Sequence, residues 1–166
     1  MRRSGAAVAL LLTLVGCERV GPAILPTPEE ARAFYAATSG VDEVRISGNV
    51  VVVEVRQPGE QLRRGGSLWA KVGPYIYLLT PGTRELFEQY PDVAAVRVVT
   101  FAPGQREVAR ALLPRDTLSS VQWRRSLNLL GHALKEGTAR PSRLEDLVAW
   151  GEQYTEHRYN PAFLPN

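Results

Sequence analysis

Between Val44 and Arg56 the chain reads VRISGNVVVVEVR, and this stretch restricts the fold more than any other. β-Branched residues fill both arms, and Gly48-Asn49 between them is a two-residue loop of the kind that closes a β-hairpin. Successive side chains of a strand point to opposite faces, so Val51, Val53 and Val55 are expected to face a core, while Val52 and Glu54 face the other way. An isolated hairpin is marginal in water. Its apolar face needs further strands and a covering layer.

Helices able to supply that layer are marked by their starts. Thr27-Pro28-Glu29-Glu30 offers a Thr N-cap, a Pro at the first helical position and a Glu that closes a capping box. Ala31, Phe34, Tyr35 and Thr38 follow at helical spacing, and Gly40 is a stop. Thr80-Pro81 opens a second helix in the same way, with Leu86, Phe87 and Tyr90 on one face. From Asp116 or Thr117 onward, Trp123, Leu127, Leu130 and Leu134 form a core-facing stripe that ends at Gly137. Ser142-Arg143-Leu144-Glu145 is another capping box. The helix it opens carries Leu147, Val148, Gly151 and Tyr154 on its apolar face, and Glu156-His157-Arg158 near its end, where cations suit the helix dipole.

Between these helices, Gln57-Pro58-Gly59-Glu60 reads as a turn and Arg63-Arg64-Gly65-Gly66 as loop. Ser67 to Leu79 is rich in aromatic and aliphatic residues and reads as a strand, interrupted at Gly73-Pro74 because Pro cannot donate to the ladder. Val93 to Phe101 is a strand, 102–105 a turn, and Glu107 to Leu113 a strand with a helical alternative. The sum is one small α+β domain over residues 27–158: an antiparallel sheet with one face covered by helices and two helices at the C-terminal end. The tail, 159–166, is expected to dock as an extended segment or fray. The order helix, three strands, helix, two strands, helix resembles that of secretion-chaperone-like domains, a likeness of topology that carries no function.

Two segments echo each other. VGPAILPTPEEARAF from Val20 and VGPYIYLLTPGTRELF from Val72 share Val-Gly-Pro, Thr-Pro and a Phe seven residues after the Thr. Each is followed by Val-x-x-Val-Arg, at Val41 and at Val93. Duplication of a helix-strand-strand unit would give a pseudo-symmetric sheet. Independent reuse of Thr-Pro helix starts and Val-rich strands is the other explanation.

The amino terminus is of a different kind. Arg2 and Arg3 precede an uncharged stretch that runs to Glu18, with an apolar run from Ala6 to Val15. That run is shorter than the roughly 20 residues a spanning helix needs and has the length of an export signal. It ends Leu14-Val15-Gly16-Cys17, which resembles the lipobox of bacterial lipoprotein signal peptides. The resemblance implies that Leu14, Val15 and Gly16 are read by the signal peptidase, and that Cys17 carries a diacylglycerol and becomes the new amino terminus. Residues 1–16 would then be the signal and 17–26 a lipidated tether, roughly 30 Å long when extended. The expected site is extracytoplasmic, on the cell membrane or outer membrane. One acyl chain anchors only reversibly and two or three do so stably. Acylation also accounts for the one cysteine of the chain, which would otherwise be an unpaired thiol.

Removal of residues 1–16 would leave 150 of 166 residues, enough for one domain. It takes away two arginines and no acid, so 20 basic residues become 18 against 17 acidic, a net charge of +1. That balance does not mark a nucleic-acid binder. Arg63-Arg64 and Arg124-Arg125 are candidates for lipid headgroups or an anionic polymer, with a solvated charged face as the plainer reading.

Candidates for chemistry are few. His132 with Glu136 one turn later falls short of the three or four ligands a metal needs, and His157 is sufficiently explained by its place in the chain. No Gly-x-Ser-x-Gly, Ser-x-x-Lys, paired carboxylates or glycine-rich phosphate loop is present. No catalytic, metal or cofactor site is therefore assigned. Trp69, Tyr75 and Tyr77, on the candidate strand, form a candidate ligand or partner surface, with core packing as the alternative. The expectation is a membrane-anchored, non-enzymatic lipoprotein that binds or helps assemble an envelope protein partner. One rival is a ligand carrier with an apolar cavity near Trp69 and Tyr77. Another is an envelope hydrolase, which needs His132 or His157 beside a serine or carboxylate in a cleft.

Overall fold

The computed structural model describes residues 23–164. Leu14, Val15, Gly16 and Cys17 lie outside them, as does the first Val-Gly-Pro.

β1 (Val41–Ser47) and β2 (Val50–Arg56) form the expected hairpin, with Val44 opposite Val53 and Ile46 opposite Val51. A second hairpin pairs β3 (Ala95–Ala102) with β4 (Arg106–Pro114), which settles the second arm as a strand. A short β5 (Glu156–Tyr159) adds to β4, and the sheet order is β1-β2-β3-β4-β5. Neighbours are antiparallel except β2 and β3, which run parallel from Val50 beside Ala95 to Arg56 beside Phe101. Parallel neighbours cannot be joined by a tight turn and need a crossover. Here the crossover is two helices, α2 (Gly59–Leu78) and α3 (Pro81–Gln89). The domain is thus α+β, with α1 (Pro28–Ala33) in front and α4 (Ser120–Glu136) and α5 (Ser142–Tyr154) after β4.

The main departure from the sequence expectation is α2. All of the turn and loop read at 57–66 except its first two residues, and all of the strand read at 67–79 except its last, are helix, with a break at Gly66 (φ 57°, ψ −145°) that only glycine takes readily. Aromatic density suggested a strand. The period says otherwise, because the buried Val72, Tyr75 and Leu78 and the half-buried Leu68 follow spacings of three and four. Pro74 sits inside this helix and is buried. The three-strand, secretion-chaperone-like order is accordingly replaced by two strands and two helices.

At the C-terminal end, the α5 helix stops at Tyr154, and Glu156-His157-Arg158 is β5 rather than a last helical turn. The chain beyond it docks as a 3₁₀ turn at Pro161–Phe163. Asn160 holds it by accepting from Ala162 N–H and donating to Glu107 O. The α4 helix begins at Ser120 with a Ser119/Gln122 capping box. Its buried residues are Trp123, Ser126, Leu130 and Ala133, so the stripe is rotated from the expected one and Leu134 is 64% exposed. Ser126 is tolerated in the core because its hydroxyl accepts from Trp150 Nε1–H at 2.7 Å.

The core fills the space between one sheet face and the helices. Val51, Val53, Val55, Val96, Val98 and Leu113 meet Val72, Tyr75 and Leu78 of α2, Leu86 of α3 and Leu144 and Leu147 of α5. Gly151 lets α5 lie against α2, since a Cβ there would run into the Tyr75 ring. Arg115, just after β4, donates to the main-chain carbonyls of Phe87, Tyr90 and Val93 and lies over the Phe87 ring. One side chain thereby satisfies the end of α3 and the approach to β3.

Thr27 and Thr80 do act alike, each capping a helix with Pro in its first turn. Each helix is also followed by a hairpin, β1–β2 and β3–β4, but the likeness ends at that order. β1 and β3 run in opposite directions, yet each has its hairpin partner on the same side as seen from the core. The hairpins have opposite hand relative to the core, and no rotation superposes them; the sheet is not pseudo-symmetric.

Candidate functional site

The C-terminal end of α1 and the turn after it approach the start of α3 closely. Gly82 makes this possible, because a Cβ at that position would collide with the carbonyl oxygen of Phe34. Behind the contact, Tyr35 is fully buried and its hydroxyl lies 3.0 Å from Thr83 Oγ1, which donates to Tyr77 O at 3.4 Å. Burial raises the Tyr35 phenol above its ordinary pKa, against a smaller lowering by the Thr83 bond. Tyr77 donates to Ser39 O at 2.9 Å and ties the same turn to α2.

These contacts leave an open groove of about 750 Å³. Phe34 and Ala37 form one wall, Ile76 and Tyr77 the floor, and Gly82 with Glu85 the α3 side. Leu130 and the exposed Leu134 close it from α4. Phe34 is braced from behind by an edge-on contact with Tyr90 at 6.1 Å. The lining is mostly aliphatic and small. Among the described residues Glu85 is the single carboxylate in it, and no histidine or basic side chain lines it.

The residues singled out from the sequence are separated by the helix that replaces the candidate strand. Tyr77 lines the groove. Tyr75 is core: its hydroxyl is 2.7 Å from that of Tyr159, which donates to Glu152 at 3.0 Å and fastens α2, α5 and β5 together. Burial is the main cause that raises both phenols. Trp69 is half-buried beside the Gly66 break, with Gln57 Nε2–H donating to its carbonyl at 3.0 Å. No common surface joins the three.

The histidines lie elsewhere. His132 is on the exposed side of α4. His157, on the sheet edge, contacts Thr155 O at 3.4 Å and the Tyr159 ring at 5.1 Å. It borders a shallow depression of about 350 Å³ with Arg97, Arg110 and Arg158. Among the described residues neither ring is hydrogen-bonded to a serine or carboxylate, and no group of three His, Cys, Asp or Glu side chains could hold a metal. Arg64 pairs with Glu60 at 2.5 Å and Arg125 lies over the Trp150 ring at 4.6 Å, so each has a structural partner. No described helix is long and apolar enough to cross a membrane.

The groove went unread in the sequence because its walls come from segments up to 101 residues apart, Ala33 to Leu134. One signal pointed to it: a leucine stripe on α4 wider than the core requires. Comparison with known proteins adds no relative, as no family model, curated protein or solved structure matches the chain.

Proposed function

We propose that the chain is a membrane-tethered envelope lipoprotein that works by binding, and that the α1–α3–α4 groove receives an apolar segment of a partner protein. The observation that carries this reading is an apolar trough left open beside the buried core. Exposed Leu134 at its lip has no role in that core and suits a helix-in-groove or strand-in-groove contact. The anchor rests on Leu14-Val15-Gly16-Cys17, and it would hold the groove within a short reach of the bilayer. Glu85 at the rim would orient a basic residue of the incoming segment.

Two measurements test the two halves. Intact mass spectrometry of the protein from bacterial membranes is expected to show a chain that begins at Cys17 with acyl additions; an unmodified chain removes the anchor. A photo-crosslinking residue at Ala37 is expected to trap one discrete partner in native membranes, and Leu134→Glu to abolish that product. Crosslinks unchanged by Leu134→Glu would remove the groove from the reading. A second reading, a small apolar ligand, is favoured by the groove volume, which falls inside the roughly 300–1,000 Å³ of ligand pockets. A single lipid-like mass retained in native mass spectrometry and lost in Leu134→Glu would select it.

A further inference from the structure

The sheet face turned away from the helices carries side chains in rows fixed by the strand register. One row reads Arg45, Val52, Arg97, Leu112, Glu156 from β1 to β5. The next reads Glu43, Glu54, Val99, Arg110, Arg158, and a third Arg56, Phe101, Glu107. Val52 and Val99 are buried, yet both lie outside the helix-covered core cluster. Among the described residues no helix packs on this face.

Two pairings in the second row run against sheet energetics. Glu43 stands directly opposite Glu54, and Arg110 directly opposite Arg158, arrangements of like charge that destabilise a lone sheet. Within the chain they are relieved only in part, by Arg45 on Glu54 at 3.3 Å and Glu107 on Arg110 at 3.6 Å, both exposed to water. Arg97 and Arg158 make no ion pair among the described residues.

The rows are sign-inverted about β3. A two-fold axis lying along β3 in the plane of a face-to-face contact would place Glu43 over Arg158 of a second copy, and Glu54 over Arg110. It would also place Arg45 over Glu156 and Arg56 over Glu107, while Val52, across from Leu112, is already covered within its own chain. Val99 and Phe101 would meet their own copies on the axis. We infer that this face is the interface of a symmetric dimer, its occupant a second copy of the same chain. This is the isologous self-complementarity a two-fold contact requires. Packed sheets cross at about 30°, which displaces the outer columns by about 5 Å, within reach of Arg and Glu side chains.

The size of the face sets the strength. With a fourth row, Ser47, Val50, Ala95 and Pro114, the face holds 17 outward positions. At about 4.8 Å by about 6.7 Å each they cover about 550 Å² per copy, or about 1,100 Å² buried in all. That clears the roughly 1,000 Å² floor for a specific contact but stays below the standard size, so the dimer is reversible. One like-charge meeting remains, Arg97 with its own copy beside the axis, and it limits affinity. The inference is independent of the groove, which lies on the helical side.

Sedimentation equilibrium of the full chain in detergent tests it. A monomer–dimer equilibrium weakened by salt is expected. Glu54→Arg should weaken it by about tenfold or more, since like charges would then face each other in both halves. The double variant E54R/R110E should recover most of the loss, and Arg97→Leu should tighten the dimer beyond the parent. Circular dichroism checks that each variant folds, and if Glu54→Arg does not, Arg97→Leu decides alone. A chain monomeric at all concentrations, a dimer indifferent to Glu54→Arg, a double variant no tighter than Glu54→Arg, or an Arg97→Leu dimer no tighter than the parent would overturn the inference.

Discussion

The two faces of the sheet share one backbone and differ in almost everything else. Toward the helices, Val51, Val53, Val96, Val98 and Leu113 are fully buried by the crossover and C-terminal helices. On the other side, arginines and glutamates alternate with Val52, Val99 and Leu112, and no described helix intervenes. Val52 is nevertheless as buried as Val53. The stems of long charged neighbours can cover an apolar residue as well as a helix can, while their charged ends stay at the surface. One face holds the fold together, and the other carries information about what the sheet meets.

Adjacent leucines in β4 give the widest separation between the faces. Leu113→Ala removes a fully buried side chain on the helical face and should cost about 2–5 kcal/mol. Leu112→Ala, on the half-exposed face, should cost less than about 1 kcal/mol by the same urea titration. Equal losses would mean that the outer face is also load-carrying for folding.

Glycines in the last two helices extend the contrast to the helical layer. Gly151→Ala would press a methyl into the Tyr75 ring and should cost about 1–3 kcal/mol. Gly131→Ala, on the exposed side of α4 with open space around it, should stabilise by about 0.5–1 kcal/mol. Thermal unfolding of both variants checks the pair, and a destabilising Gly131→Ala would reveal a contact on α4 that the isolated chain does not make.

Alkaline titration adds a smaller effect confined to the helical side. Burial keeps Tyr35 protonated when folded at pH values where the unfolded phenol, near 10, has ionised. The folded state therefore holds more protons above pH 10, and stability, complete below that value, should fall as pH rises past it. Tyr75, Tyr77 and Tyr159 act in the same direction. Tyr35→Phe should flatten part of the slope between pH 9 and 11, read from urea midpoints.

Local chemistry was legible in the sequence at several places where a few adjacent residues settle it. Gly48-Asn49 turned where expected, Val51, Val53 and Val55 faced inward, and Thr27 and Thr80 capped helices. One local reading failed: Pro141, not Ser142, stands at the N-cap of α5 with no side-chain cap bond, so the Ser142–Glu145 capping box does not form. The larger failures depended on distant partners. Ser67 to Leu79 has a composition suited to either structure, and its burial against β3, β4 and α5 decides for helix over strand preference. Glu156 to Tyr159 became a strand because β4 offered an unpaired edge. The groove, assembled from four separated segments, left only Leu134 as a trace.

The parallel seam between β2 and β3 has a bearing on how the chain reaches its final shape. Each hairpin can close on its own within a few residues, but the seam joins them only after the long excursion from Gln57 to Ala94 has been gathered above the sheet. Closing such a distant pairing costs entropy before any contact rewards it. A nascent or threaded chain ending before Ala95 would offer β2 as a bare edge, so assembly should wait for the second half and then proceed as one event.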